Sequence, residues 1–359
     1  MSAAPKTALK PVRVLILGSG NMGNHHARYF AAIKGVKLAG AVDVDAARVE
    51  AFRAGHNIPR AFTTLDAAVA WGEFDAVANV TPDAEHHATA MKVIAAGKHI
   101  LGEKPLATNH ADALEMTEAA EKAGLVAMVN LSYRNVAELH GARALVDSGA
   151  LGDIKHIEAS YLQSWLVADS WGDWRTEPTW LWRLSTKHGS HGALGDIGIH
   201  ILDFAVYGAA MDISKVFCRL QTFGKAPDNR IGEYPLDAND SFTMSLEFGN
   251  GALGVVHASR WATGYLNSLR LRAFGDKGAV EVNHGHDGSS LRACTGEDVH
   301  TQTWREVPVK PVPTNYERFI DAVRAGETRE PSFRHATRLQ RVLDLGTVSD
   351  GDRREHSLG

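Results

Sequence analysis

A glycine-rich turn between an apolar run and a helical segment constrains this chain most strongly. The run Val12–Leu17 leads directly into glycines at positions 18, 20 and 23, which have the G-x-G-x-x-G spacing. Gly18 permits a tight turn, Gly20 lets the backbone approach a pyrophosphate, and Gly23 lets the helix pack closely on the strand. The helix directs its free N–H groups and positive dipole end at the anion. We therefore expect a dinucleotide here, with contacts from Gly18, Gly20, Asn21, Met22 and Gly23.

The second apolar run indicates which dinucleotide is preferred. Val36–Val42 ends at Asp43, in the position where an acidic side chain accepts hydrogen bonds from the hydroxyls of the adenosine ribose. A carboxylate there repels a 2′-phosphate, so the sequence favours NAD over NADP. The alternative is that Asp43 caps the next helix, for which Asp45 is at least as well placed. Arg48, on that helix, could soften the preference for NAD.

The order of strand-like and helical segments predicts the fold class. Apolar runs alternate with helical segments from Val12 to Val129, which predicts a parallel sheet with helices on both faces and a ligand at the carboxyl ends of its strands. Beyond about residue 135 the pattern becomes antiparallel, most clearly in the hairpin that turns at Asn250–Gly251. We predict an α/β protein with a doubly wound Rossmann domain at residues 1–134. An α+β domain with an open, mainly antiparallel sheet follows at residues 135–359, for substrate binding and oligomerisation.

Composition excludes several classes of function. The net charge of −4 provides no basic field for nucleic acid. Two cysteines, Cys218 and Cys294, exclude a disulfide framework and a cysteine-built zinc site. His284 and His286 lack a third ligand at suitable spacing, so we expect a surface loop and no metal. Residues Met1–Pro11 form a polar lead-in without the features of a signal peptide, which favours a cytoplasmic location.

Two short patterns suggest acid–base chemistry. Lys104 follows a strand-like run, and a lysine directed into a cleft by a strand end can lose solvation and relay a proton. The alternative is a surface lysine paired with Glu103. Asp196 and His200 share one face if their segment is helical, and an aspartate beside a histidine sets its tautomer, as a general base requires. The alternative is a buried Asp–His hydrogen bond without chemistry.

Tryptophan and histidine are both frequent. Five of the eight tryptophans lie in one stretch, namely Trp165, Trp171, Trp174, Trp180 and Trp182. Indole faces stack on sugars, but large aromatic side chains also fill cores and interfaces, and we expect most of these to be structural. Among the eighteen histidines, His25 and His26 are ascribed to the polar face of the first helix.

Four motifs in sequence order resemble one family. They are the glycine-rich turn, Thr81–Pro82 with His86, Glu103–Lys104–Pro105, and Asp196-x-x-x-His200. Together they resemble the Gfo/Idh/MocA family of glucose–fructose oxidoreductase, inositol dehydrogenase and relatives. The resemblance implies a Rossmann domain and a second domain whose sheet often forms dimers or tetramers. It also implies that Lys104, Asp196 and His200 are the catalytic residues.

The resemblance extends to further site residues. Arg134 is similar to an arginine that helps to seat the nicotinamide half, and Trp182–Arg183 resembles a pair near cofactor and substrate. The glycine-rich lead into the Asp–His segment is altered here, which makes His191 a candidate substrate contact, with a structural role as the alternative. The further cofactor contacts expected are Asp43, Thr81, Pro82, His86, Glu103, Lys104, Arg134, Trp182 and Arg183. The substrate contacts expected are Lys104, Tyr133, Trp165, Arg183, His191, Asp196 and His200.

The function that the resemblance implies is an NAD-dependent dehydrogenase. It would oxidise a secondary hydroxyl of a sugar, sugar derivative or cyclitol by hydride transfer, with Lys104, Asp196 and His200 handling the proton. Two alternatives stay open: an NAD-dependent glycosidase that acts through transient oxidation, and a non-catalytic NAD-binding regulator. The partners expected are a small carbohydrate or polyol and further copies of the chain, as a dimer or homotetramer, without nucleic acid or membrane.

Overall fold

The structure, a computed structural model, describes residues 11–359. Within these residues the chain folds into two compact units. The first contains the described residues up to Asn130 together with Pro313–Thr337, and the second contains Leu131–Val312 and Arg338–Gly359. The predicted lead-in, Met1–Pro11, lies outside the described residues apart from Pro11 itself.

The first unit contains a parallel sheet. Its strands are β1 (Val12–Leu17), β2 (Val36–Val42), β3 (Ala61–Phe62), β4 (Ala76–Asn79), β5 (His99–Gly102) and β6 (Ala127–Val129). Its helices up to this point are α1 (Asn21–Ala32), α2 (Ala46–Gly55), α3 (Leu65–Trp71), α4 (His86–Ala95) and α5 (His110–Lys122). Within residues 11–359 the sheet has six strands in the order β3-β2-β1-β4-β5-β6. This order reverses between β1 and β4, as in a doubly wound dinucleotide fold, and confirms the predicted Rossmann domain.

The second unit is built on a larger, mixed sheet. Its helices are α6 (Ala137–Asp147), α7 (Pro178–Leu181), α8 (Ile199–Ala209) and α9 (Asp298–Thr301). The strands are β7 (Ile154–Gln163), β8 (Ile213–Gln221), β9 (Arg230–Ile231), β10 (Tyr234–Pro235), β11 (Ser241–Phe248), β12 (Leu253–Ser259), β13 (Asn267–Gly275), β14 (Gly278–Gly285), β15 (Gly288–Thr295), β16 (Arg305–Glu306) and β17 (His356–Ser357). In the described chain, nine strands pair in the order β16-β15-β14-β13-β7-β12-β11-β8-β17. Only β7 and β12 pair in parallel there, so the predicted mainly antiparallel sheet is confirmed.

Two helices close the chain, α10 (Asn315–Ala325) and α11 (Phe333–Asp352). A capping box between Thr314 and Glu317 fixes the start of α10. Its Tyr316 and Phe319 are buried in the core of the first unit together with Phe30 of α1. The sequence assigns residues 313–337 to the second domain, whereas in the structure they belong to the first unit. No helix in residues 11–359 has the length and apolar composition needed to cross a bilayer.

Candidate active site

The turn after β1 leaves open space where a phosphate would bind. Gly18 has φ +106°, and a Cβ there would lie 2.7 Å from the Val80 carbonyl oxygen. A Cβ at Gly23 would lie 2.2 Å from the Gly18 oxygen, so the protein's own backbone requires both glycines. A Cβ at Gly20 would meet no described atom within 4 Å, and no described side chain caps α1. The first-turn N–H groups of α1 therefore suit a dinucleotide phosphate.

Asp43 is held ionised at the end of β2. Its Oδ2 accepts hydrogen bonds from the Ser19 backbone N–H (2.9 Å) and the Ser19 hydroxyl (2.6 Å), and Arg48 Nε also donates to it (3.1 Å). Burial alone would raise the pKa of Asp43, but the hydrogen bonds from Arg48 and Ser19 hold it well below its usual value. Asp45 caps α2 by accepting from the Arg48 backbone N–H (3.0 Å), which leaves Asp43 for another role.

His86 joins two loops that carry predicted site residues. Its buried ring places Nδ1 2.7 Å from the Pro105 carbonyl oxygen and Nε2 2.9 Å from the Thr81 carbonyl oxygen. Lys104 and Pro105 are joined by a cis peptide bond. Both ring nitrogens thus contact backbone carbonyl oxygens, and His86 connects the two loops. Its predicted contact with the cofactor stays a prediction, as do those of Thr81 and Pro82.

The carboxylate of Glu103 is bound on the inner side of this loop. It accepts from His26 Nε2 (2.6 Å), Asn130 Nδ2 (2.8 Å) and the Lys104 backbone N–H (3.2 Å). Burial would raise the pKa of Glu103, but the hydrogen bond and charge of His26 and the hydrogen bond from Asn130 lower it to about 2. His26 is fully buried, so its assignment to the polar face of α1 is wrong. A histidine in a polar stretch carries no local signal for a partner 77 residues away.

In the second unit, Asp196 lies in a π-helical turn, Leu194–Gly198, that runs directly into α8. Such turns are frequent at functional sites. Asn239 fixes its start, because its Oδ1 accepts from the Leu194 N–H (2.9 Å). A Cβ at Gly195 would lie 2.3 Å from the Cβ of His191, so this glycine is required by close packing. His191 itself is exposed, and its contact with substrate stays a prediction.

Two arginines hold the Asp196 carboxylate. Arg260 Nη2 donates to Oδ2 at 2.9 Å, and Arg183 Nη1 lies 3.3 Å from the same oxygen. The Arg260 side chain is fully buried, donates to the Arg183 carbonyl oxygen (3.1 Å), and lies over the ring of Trp165 (5.1 Å to the centroid). Arg260 belongs to no motif, and the sequence therefore did not indicate it. The expected orientation of His200 by Asp196 stays a prediction.

Aromatic side chains surround His200. This residue is buried on α8, and the ring of Tyr133 lies nearly perpendicular to its imidazole with ring centroids 5.1 Å apart. Tyr161 lies beyond, at 6.5 Å. His284, expected in a surface loop, is instead half-buried at the end of β14 with its ring 5.5 Å from that of Tyr133. Burial lowers the pKa of His284.

Two predicted site residues have structural partners. Arg134 and Asp203 form a buried ion pair (2.7 Å), and the Arg134 guanidinium lies 3.8 Å from the centroid of Tyr207. Trp165 and Trp174 are buried in one cluster, and Trp171 and Trp180 pack against it. The structural role expected for most of these tryptophans and the predicted contact of Trp165 with substrate both stay predictions. Trp182 is 36% exposed. The cofactor roles of Arg134, Trp182 and Arg183 stay predictions.

The residues expected to carry the chemistry thus lie in both units. Lys104 belongs to the first unit, and Asp196 and His200 belong to the second. Across residues 11–359, no three histidine, cysteine or acidic side chains are grouped so that they could hold a metal ion. In the first unit, the first-turn N–H groups of α1 are donors and the Asp43 carboxylate is an acceptor, a combination that suits a dinucleotide. The second supplies a buried imidazole and a firmly held carboxylate, which are the groups that acid–base chemistry uses.

The sequence of the chain matches known proteins along most of its length. A family model described as "Oxidoreductase family, NAD-binding Rossmann fold" matches residues 12–131, and one described as "GFO/IDH/MocA C-terminal domain" matches residues 139–281. Levoglucosan dehydrogenase of Pseudarthrobacter phenanthrenivorans is 28% identical over 247 residues, or 64% of this chain and 61% of that protein. The aligned part therefore spans about three-fifths of the length of this relative.

Solved structures match the whole fold. An oxidoreductase domain protein from Kribbella flavida is 28% identical, with a TM-score of 0.87 over 98% of this chain and 100% of that one. Levoglucosan dehydrogenase in complex with NADH and L-sorbose has a TM-score of 0.86 at 23% identity, over 98% of this chain and 99% of that one, and this likeness concerns the fold alone. Since the two family models match most of the sequence and the predicted motifs lie within them, the chain belongs to the Gfo/Idh/MocA family of NAD-binding oxidoreductases.

Proposed function

We propose that this protein is an NAD-dependent dehydrogenase that oxidises a secondary hydroxyl of a sugar, sugar derivative or cyclitol. The observation that carries the proposal is the arrangement around α8, where buried His200 follows an aspartate held by two arginines. A phosphate cradle at the turn after β1 supports the redox part of the proposal. The relative named levoglucosan dehydrogenase supports the carbohydrate part.

In the proposed mechanism the protein's own residues manage the proton of the substrate hydroxyl. A bound nicotinamide supplies the hydride acceptor. His200 takes the proton of the substrate hydroxyl as general base. Asp196 favours the charged imidazole, and Lys104 stabilises negative charge on the substrate oxygen. Arg260 and Arg183 position Asp196, and His86 positions the loop that carries Lys104.

NAD rather than NADP is the proposed cofactor. The support is Asp43, which is buried and ionised at the end of β2, because a carboxylate accepts both ribose hydroxyls and repels a 2′-phosphate. Arg48 contacts this carboxylate from α2 with its side chain half exposed. A ribose that approaches Asp43 must therefore share or replace the contact with Arg48. The positive charge of Arg48 would attract a 2′-phosphate, which favours some use of NADP.

We also propose that the protein is a cytoplasmic homo-oligomer, with a homotetramer as the expected form. Helices α6 and α8 pack on one face of the nine-stranded sheet through the buried side chains of Leu139 and Leu271. On the other face Leu253 is 57% exposed and Val255 is 43% exposed. Apolar side chains in such a position are typical of an interface between copies.

The test of the proposed activity is a screen for NADH formation. The purified protein is incubated with NAD and single monosaccharides, anhydrosugars, glycosides or inositols, and absorbance is followed at the NADH band. A dehydrogenase accumulates NADH with at least one of them. Release of sugar from a glycoside without net NADH would favour the glycosidase. Binding of NAD without any turnover would favour the regulator and contradict the proposal.

A further inference from the structure

A second histidine packs against the tyrosine that lies beside His200. The ring of His284 meets that of Tyr133 with centroids 5.5 Å apart and planes at 73°. His200 packs on the same tyrosine at 5.1 Å. All three residues belong to the second unit. The proposed mechanism uses only His200, so His284 is an imidazole near the general base that has no role in it.

The register of the nine-stranded sheet explains how His284 reaches this position. Side chains alternate along a strand, so His284 lies on the same face of β14 as the fully buried Val282. Val282 pairs with Leu271 of β13. Helix α8 packs on Leu271, because a Cβ at Gly208 would lie 2.2 Å from its Cδ2. The end of β14 therefore carries His284 on the face that the helix of the general base covers.

A short hairpin fixes the imidazole of His284. Ser289 pairs with His284 across the two strands, and its Oγ lies 2.7 Å from His284 Nδ1. Gly285 and Gly288 are the next pair and close the hairpin, with φ +115° at Gly288. Because Nδ1 contacts the hydroxyl, Nε2 is the ring nitrogen that can serve a ligand. Among residues 11–359, no group hydrogen-bonds to Nε2.

The surroundings of His284 keep its ring uncharged at neutral pH. Burial lowers the pKa of His284 below its ordinary value, and the charge of Glu138 acts in the opposite direction but more weakly. Each nitrogen of a neutral imidazole either donates or accepts one hydrogen bond. A hydroxyl can do both, so it pairs with Nε2 in either tautomer. A hydroxyl-rich ligand suits this nitrogen better than an anion does.

We propose that His284 is a substrate-binding residue whose Nε2 forms a hydrogen bond with a sugar hydroxyl other than the one that is oxidised. His200 takes the proton of the reacting hydroxyl, and an imidazole on the same tyrosine is placed for another hydroxyl of the same ring. This inference rests on the proposed function, because it assumes that a carbohydrate is bound beside His200. Sites that pair with a hydroxyl reject analogues that lack it.

The variant His284→Phe tests this contact. Phenylalanine keeps a ring against Tyr133 and removes both nitrogens. The probes are the sugar with the highest activity in the NADH screen and its monodeoxy derivatives. In wild-type protein we expect one ring position at which loss of the hydroxyl lowers kcat/KM by at least about tenfold. In His284→Phe the same deoxy sugar should differ from the parent sugar by less than about twofold, while the other positions keep their wild-type ratios.

The kinetic constants for the parent sugar show how His284 acts. A contact with a hydroxyl that does not react contributes equally to the ground state and the transition state, so its loss raises KM and leaves kcat nearly unchanged. We expect KM for the parent sugar to rise about tenfold in His284→Phe. A residue that serves only to pack the fold would lower stability without erasing the discrimination at one ring position.

Two variants of the same hairpin complete the test. His286→Phe, at an exposed position, should leave every ratio unchanged. Ser289→Ala, also at an exposed position, removes the hydroxyl that fixes the ring but keeps the imidazole. It should weaken the discrimination at the same ring position, which covers the case that His284→Phe does not fold.

The outcomes distinguish this inference from the proposed function. If wild-type protein forms no NADH with any sugar, the proposed function fails and the inference falls with it. If it turns over a sugar but His284→Phe and Ser289→Ala keep all wild-type ratios, the inference alone is overturned. A loss of kcat without a change in KM in His284→Phe would also overturn it. Loss of the discrimination at one position, with His286→Phe unchanged, supports it.

Discussion

At the scale of single residues, Asp43 makes the clearest prediction. Asp43→Asn keeps the shape of the side chain but loses the charge that accepts from ribose hydroxyls and repels a 2′-phosphate. We expect KM for NAD to rise about tenfold, with a smaller change for NADP, in initial-rate measurements with both cofactors. Asp45→Asn is the matched control, because asparagine caps a helix as well as aspartate does. Unchanged cofactor selectivity in Asp43→Asn would show that Asp43 does not contact the ribose.

The lowered pKa of Glu103 predicts how the free energy of unfolding depends on pH. Its pKa is about 2 in the folded protein against an ordinary value of 4.5, so the ionised form stabilises the fold fully above pH 4.5. The contribution, on the order of 3 kcal/mol, is lost as pH falls from 4.5 through 2. Glu103→Gln should therefore unfold at lower urea concentration than wild type at pH 7, with the difference shrinking below pH 4.5. Glu50→Gln, a change at an exposed residue, should show no such difference. A difference in urea concentration at unfolding that stays constant with pH would contradict this prediction.

At the scale of elements, Arg260 decides how the π-helical turn is held. It ties Asp196 to the backbone of Arg183 and to Trp165, and a lysine cannot reproduce this fork of donors. Arg260→Lys should lower kcat by about tenfold, with KM for NAD unchanged and NADH fluorescence titration giving the wild-type affinity. Arg270→Lys, on the exposed side of β13, serves as the control. Wild-type kcat in Arg260→Lys would show that Asp196 needs no such anchor.

The sequence predicts elements well where the signal is local. The bounds of β1 and β2 agree with the predicted apolar runs Val12–Leu17 and Val36–Val42, because a short apolar run with glycine or a polar residue at its end marks each strand. The sequence predicts only those site residues that belong to a motif. Glu103 pairs with His26, and Arg260 with Asp196, through contacts between residues distant in sequence. The return of α10 to the core of the first unit is likewise a long-range contact that no local pattern encodes.

At the scale of the whole molecule, the exposed face of the nine-stranded sheet predicts assembly. Val255→Glu places a charge among apolar side chains that an interface would bury, and an unpaired buried charge is costly. Light scattering after size exclusion should give a multiple of the chain mass for wild type and a smaller one for this variant. Val299→Glu, at an exposed position on α9, should assemble as wild type does. A wild-type monomer would contradict the proposed oligomer.

The central claim is that His200 takes the substrate proton and Lys104 stabilises the substrate oxygen, while the first unit binds the cofactor. The most direct measurement is NADH formation by His200→Ala and Lys104→Ala with the sugar found in the screen, alongside NADH binding by fluorescence. The account predicts that kcat falls by at least about 100-fold in each variant, since general acid–base catalysis contributes about 10²–10⁴-fold, while NADH still binds. Turnover close to wild type in both variants would contradict it.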